Sequence, residues 1–206
     1  MRWLLVVMLT MGSLPARAAM LIDDFEDGDE SLPSIDGRNG TWYWYNDGTE
    51  GSQFFDVVKT PDRPKSKFGL WTAGGDFQAW GAVTAVDLDT GGAYDASAYR
   101  GISFWARREP DMTASVRFQI ADRYSDERGG FCNPDGGPDG CWDHFGRFVS
   151  IGTEWQQYAY RWEELVQQGY GLDRPGLDAS AIYSLQFSYG GGDVFELYVD
   201  DFYFVE

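Results

Sequence analysis

Apolar positions along this chain alternate with a period of two, in short runs broken by Gly, Pro, Asn and Asp. That period predicts half-buried β-strands. Segment 116–121 is the most regular, with Val116, Phe118 and Ile120 on one side and Arg117, Gln119 and Ala121 on the other. Segment 101–107 repeats it, with Ile102, Phe104 and Ala106 against Ser103, Trp105 and Arg107. Runs at 21–25, 42–45, 54–59, 68–73, 80–87, 147–151, 156–162, 183–189 and 195–205 complete the predicted strands. Helix signals are sparse: 163–168 predicts a turn or two of helix before Gly169, and 95–99 a short helical or 3₁₀ turn. So many short strands overfill one open sheet, which predicts an all-β fold, a two-sheet antiparallel β-sandwich. Phe104, Phe118, Tyr158, Leu185, Phe187, Phe195 and Phe202 are assigned to its core.

The first residues follow a different pattern. Arg2 precedes an apolar run from Trp3 to Leu14, and Ala16-Arg17-Ala18 offers small residues two apart. Residues 1–18 therefore read as a signal peptide, too short to span a bilayer, and 19–206 as a single exported domain. The expected location is secreted or periplasmic. No cysteine follows the run to take a lipid anchor, and no second long apolar segment suggests membrane insertion.

Charge narrows the partners. The full chain carries −17, and loss of Arg2 and Arg17 takes it to −19. So acidic a surface argues against nucleic acid and anionic membranes, which need a basic face. The two cysteines, Cys132 and Cys141, bracket a Gly/Asp/Pro-rich loop. In an exported protein such a close pair reads as a disulfide, worth about 2–3 kcal/mol by loop closure. A zinc site would need a fourth ligand beyond these thiols and the lone His144.

Four segments in order, LIDDFEDGD, YDASAYRGISFWAR, EWQQYAYRWEEL and FELYVDDFYFVE, span nearly the whole of 19–206. Together they resemble the β-jelly-roll carbohydrate-binding modules of the galactose-binding-like superfamily, most closely family 11. The fold also resembles that of the complex I intermediate-associated protein 30 family, so fold alone does not fix function. The resemblance implies a structural calcium where the first and last strands meet, for which Asp24, Glu26 and Asp200 are the candidate ligands, helped by backbone carbonyls near Ser66 and Lys67. It also implies that a polysaccharide or oligosaccharide binds on a concave sheet.

A sugar site needs aromatic rings for stacking and polar side chains for directed hydrogen bonds. Trp105, Arg107, Arg117, Gln119, Gln186 and Ser188 all lie opposite a regular apolar row. Arg117, Gln119, Gln186 and Ser188 are expected to form one polar patch, with Trp105 beside it. By the resemblance, Asp122, Tyr124 and His144 are further contacts, although His144 could equally hold its loop. Of the strand 42–45, either Trp42 and Trp44 or Tyr43 and Tyr45 can face the cleft, and Trp80 can join the rim. The Cys132–Cys141 loop could narrow the cleft or block it.

The expected function is non-catalytic binding of a polysaccharide chain, by resemblance a β-glucan. Two alternatives stand beside it: docking of a protein partner at the cell envelope, or glycoside hydrolase or polysaccharide lyase activity. The enzyme case rests on Asp122 and Asp143 approaching each other, because a glycosidase needs two carboxyls on one sugar. The chain carries no G-x-S-x-G, no H-E-x-x-H and no Gly-rich phosphate loop.

Overall fold

The computed structural model describes residues 19–60 and 62–206; the expected signal peptide lies outside the described residues. Each of the eleven predicted strands is present. In chain order they are β1 (Met20–Asp23), β2 (Trp42–Asn46), β3 (Ser52–Lys59), β4 (Phe68–Gly75), β5 (Ala82–Asp87), β6 (Gly101–Arg108), β7 (Ser115–Asp122), β8 (Phe145–Ser150), β9 (Gln156–Arg161), β10 (Ile182–Tyr189) and β11 (Phe195–Val205).

They form two antiparallel sheets packed as a jelly-roll sandwich. One has the order β3-β4-β11-β6-β9, and the other β2-β5-β10-β7-β8. β11 is long enough to pair with β4 along its first half and with β1 along its second, while β6 runs beside both halves. Among the described residues no helix is long and apolar enough to cross a membrane.

Alternation explains why the sheets stack. Phe104 of one sheet meets Phe118 and Phe187 of the other at ring-centroid distances of 4.9 and 5.2 Å. Phe202 joins them at 5.3 Å from Phe104. Burying such rings supplies the main driving force, roughly 25 cal/mol for each Å² of apolar surface removed from water. The residues between these rings face outward on each sheet, and the two outer faces differ.

The predicted helix at 163–168 is only a 3₁₀ turn, Trp162–Glu164. Val166 instead exchanges backbone hydrogen bonds with Gly146 of β8, which pulls the chain straight. Segment 95–99 closes a single turn, Tyr99 N–H to Ala96 O, and goes no further.

Trp105 is misplaced by the sequence reading. β6 belongs to the six-stranded sheet, where Trp105 pairs with Asp200 and Gln157 and faces that sheet's outer surface. Alternation reveals which side of a strand is polar but not which sheet the strand joins. Trp105 therefore lies across the sandwich from Arg117, and the Arg63 guanidinium sits 4.0 Å from its ring centroid.

Candidate functional site

The outer face of the five-stranded sheet carries a groove of ≈ 680 Å³. Register places its floor. Gln119 of β7 lies opposite Gln186 of β10, and Arg117 opposite Ser188. On the far side of β10, Ser188 faces Val83 of β5, which in turn faces Tyr45 of β2. Arg117, Gln119 and Ser188, three of the four residues of the expected polar patch, line the groove, and His144 lines it too.

Hydrogen bonding fixes the orientation of this floor. Arg117 can only donate, so Gln119 must turn its Oε1 toward Arg117 Nε, at 3.1 Å. Gln119 Nε2 then donates to Gln186 Oε1 at 2.8 Å, and Gln186 Nε2 to Ser184 Oγ at 2.8 Å. Gln186 is thus a buried prop beneath the lining. Gly146 of β8 lies opposite Gln119, and a Cβ there would come 2.6 Å from the Gln119 Cβ.

Aromatic rings wall the groove on both sides. Tyr45 and Trp80 stand on one side, 5.8 Å apart between centroids. Phe148, Tyr170 and Trp142 stand on the other. Phe148 is 60% exposed and Tyr170 55%, an unusual display for rings of this size. Within 42–45 the tyrosines face the cleft side; Trp42 is buried against Phe25 and Phe202.

The Cys132–Cys141 disulfide is formed, and neither cysteine lines the groove. The loop leaves the groove open and presents Trp142 at its wall. Trp142 adopts φ 78°, a conformation rare for a bulky residue. Three hydrogen bonds hold it there: its N–H donates to Ser125 O, and its carbonyl accepts from His144 N–H and Tyr170 Oη.

His144 holds its loop and borders the groove. Ser125 Oγ gives its one proton to Asp122 Oδ1 at 2.9 Å, so His144 Nδ1, 3.0 Å from Ser125 Oγ, must donate to it. Nε2 is then an acceptor. Burial holds His144 down at about 4, so the ring is neutral at neutral pH. Serine, not histidine, is the middle member of this chain, the wrong order for activating a serine nucleophile.

Asp122 and Tyr124 are corrections. Asp122 is fully buried and accepts from the N–H groups of Tyr124, Ser125 and Asp178 as well as from Ser125 Oγ. Burial raises its carboxyl, which those donors oppose. It pins the loop after β7 instead of facing solvent. Tyr124 packs against Phe131 and under the Arg174 guanidinium, away from the groove. Asp143, its proposed enzymatic partner, is equally buried and caps the N–H groups of Gln168, Gly169, Tyr170 and Gly171. That cap positions Tyr170. Its donors lie 25 to 28 residues away in sequence, which hid it from sequence reading. Phe148 was legible, since Val149 and Ile151 mark the opposite side of its strand.

The candidate calcium ligands lie on or just after β1 and on β11 of the other sheet, where Asp23 of β1 pairs with Phe202 of β11. Asp200 is fully buried and held up at about 7 by that burial. Its Oδ2 has no hydrogen-bond donor, although Arg63 Nε approaches to 3.2 Å. Asp201, raised first by burial, is pushed further by Asp24 and Glu26. Carboxylate oxygens are the hard donors that calcium takes. Glu26 already accepts from Lys67 N–H at 2.6 Å, and Arg63 pairs with both Asp200 and Asp201. Among the described residues no three acidic, His or Cys side chains are close enough to hold a metal together.

No family model matches the chain, and no curated protein matches it in sequence. Solved structures do. A family 11 carbohydrate-binding module from Clostridium thermocellum, in complex with a β-1,3-1,4-mixed-linked tetrasaccharide, superposes with TM-score 0.64 at 19% identity, covering 91% of this chain and 95% of that one. The family 11 module of a cellulosomal cellulase of C. thermocellum gives 0.63 at 18%, covering 92% and 95%. A family 30 module of another cellulosomal cellulase of that organism gives 0.57 at 16%, covering 79% and 89%. The fold is the jelly roll of the family 11 carbohydrate-binding modules.

Proposed function

We propose that this protein is an exported, non-catalytic binder of a β-linked polysaccharide, held in the groove of the five-stranded sheet. The carrying observation is the groove's composition. Exposed rings on two walls flank a floor of guanidinium, amide, hydroxyl and imidazole, with no carboxylate in the lining. Rings suit the apolar faces of sugars, and the floor suits their hydroxyls. Hydrolysis of a glycosidic bond would need two carboxyls there. The mixed-linkage β-glucan bound by the similar family 11 module makes β-glucans the reference ligands.

A glycan array probed with residues 19–206 tests this. Selective binding to a related set of polysaccharides supports it, and a blank array from folded protein overturns it.

A structural calcium is a separate part of the proposal. Asp24, Glu26 and Asp200 would hold it with nearby backbone carbonyls, and it would supply counter-charge to the crowded acids without touching sugar. Chelation should then lower the melting temperature. An unmoved transition would leave Arg63 and Lys67 as the acids' counter-charges and remove the calcium.

A further inference from the structure

Arg117 carries more donor capacity than its structural role uses. Nε donates to Gln119, and Nη2 donates to the carbonyls of His144 and Val166, each at 3.0 Å. These bonds tie the floor to two loops. Nη1 makes no hydrogen bond within the protein, yet it is not sealed from solvent. The residue is 6% exposed and lines the groove, so what exposure remains opens into it.

Every partner of Arg117 is neutral, and it takes part in none of the ion pairs among the described residues. The neighbouring acids are engaged elsewhere. Asp143 caps four backbone N–H groups, and Asp87, on the same sheet face, is held by Arg128 at 2.6 Å and by Tyr43 at 2.9 Å. In a chain with 33 acidic residues, the lining holds one guanidinium and no carboxylate. A desolvated cation with a free N–H pair favours an anionic partner, because a charge-assisted hydrogen bond is roughly twice as strong as a neutral one. Arg38 is also deeply buried without an ion pair among the described residues, but it donates to Tyr94 Oη and Leu21 O and does not line this groove, so it carries no such implication.

We infer that the groove prefers a β-linked chain containing uronate residues, whose C6 carboxylate meets Arg117 Nη1. This rests on the groove being the sugar site, as proposed above. The walls would take the apolar faces of the rings, as in a neutral glycan, and Arg117 would read the oxidation state of C6.

The test uses pairs of oligosaccharides that differ only at C6: β-1,4-glucan and β-1,4-glucuronan, and β-1,4-mannan and β-1,4-mannuronan. Binding is measured by calorimetry in about 0.15 M salt, where repulsion from remote surface acids is screened beyond ~8 Å. The uronate member of the binding pair should bind at least tenfold more tightly. Arg117→Gln should reduce that ratio to near one, whatever it does to the affinity of the neutral member. The ligand pair itself keeps the test valid if that variant fails to fold, since the wild-type ratio needs no mutation. Equal or tighter binding of the neutral members overturns the uronate preference and leaves the sugar site standing. No binding to either member of any pair, with a blank array, overturns the sugar site itself.

Discussion

The two outer faces of this sandwich carry similar residues in different states. On the six-stranded sheet, Arg63 lies 4.0 Å from the Trp105 ring and pairs with Asp200 and Asp201. Arg107 lies 4.1 Å from the Tyr198 ring and pairs with Glu109 at 2.7 Å. Both of these cations have a ring and a carboxylate. On the five-stranded sheet, Arg117 lies 5.5 Å from the Phe148 ring and has no carboxylate. The first face matches its stacked cations with carboxylates, which stabilises the fold. The second leaves rings and a donor unmatched, which is what a binding surface needs. Residue types alone would not separate them; partner lists do.

If the first face is structural, breaking it should unfold the protein and spare binding. Arg63→Ala removes the counter-charge from fully buried Asp200 and should cost about 3 kcal/mol or more in chemical denaturation. The affinity of whatever still folds should not change. A stable variant with impaired sugar binding would reverse the roles of the two faces.

The groove side carries its own pH signature. An unfolded chain protonates His144 near the ordinary value of 6.5, whereas the folded protein resists until about 4. Its contribution is therefore full above pH 6.5 and is lost as pH falls toward 4, by about 3 kcal/mol in all. Replacing it by asparagine, which can keep the donor to Ser125, should flatten the pH dependence of stability across that interval. An identical slope in wild type and variant would show that His144 is not buried as described.

Smaller effects distinguish the rings. Phe148→Ala should weaken sugar binding about fivefold, from ~1 kcal/mol of lost stacking, with little change in melting temperature. Trp105→Ala should leave affinity unchanged. The opposite pair of outcomes would move the site to the other sheet.

The strands and the sandwich were legible because period-two alternation is a local property that each strand writes into its own sequence. The floor residues Arg117, Gln119 and Ser188 were legible for the same reason, as polar positions opposite apolar rows. Trp105 was not, because sheet membership is set by pairing between distant strands, here with β9 and β11. Tyr170 was hidden because a carboxylate far off in sequence, Asp143, holds its backbone in place. Asp122 misled for the converse reason: an acid after a strand can serve its own loop as readily as a ligand.

The central claim is that ligand binds the five-stranded sheet. Two-dimensional NMR of the tryptophan indole N–H signals, during titration with the best saccharide from the array, tests it most directly. Trp80 and Trp142 should shift with saturating ligand while Trp71, Trp105 and Trp155 stay still. Shifts in the second group with the first group unmoved would contradict the account.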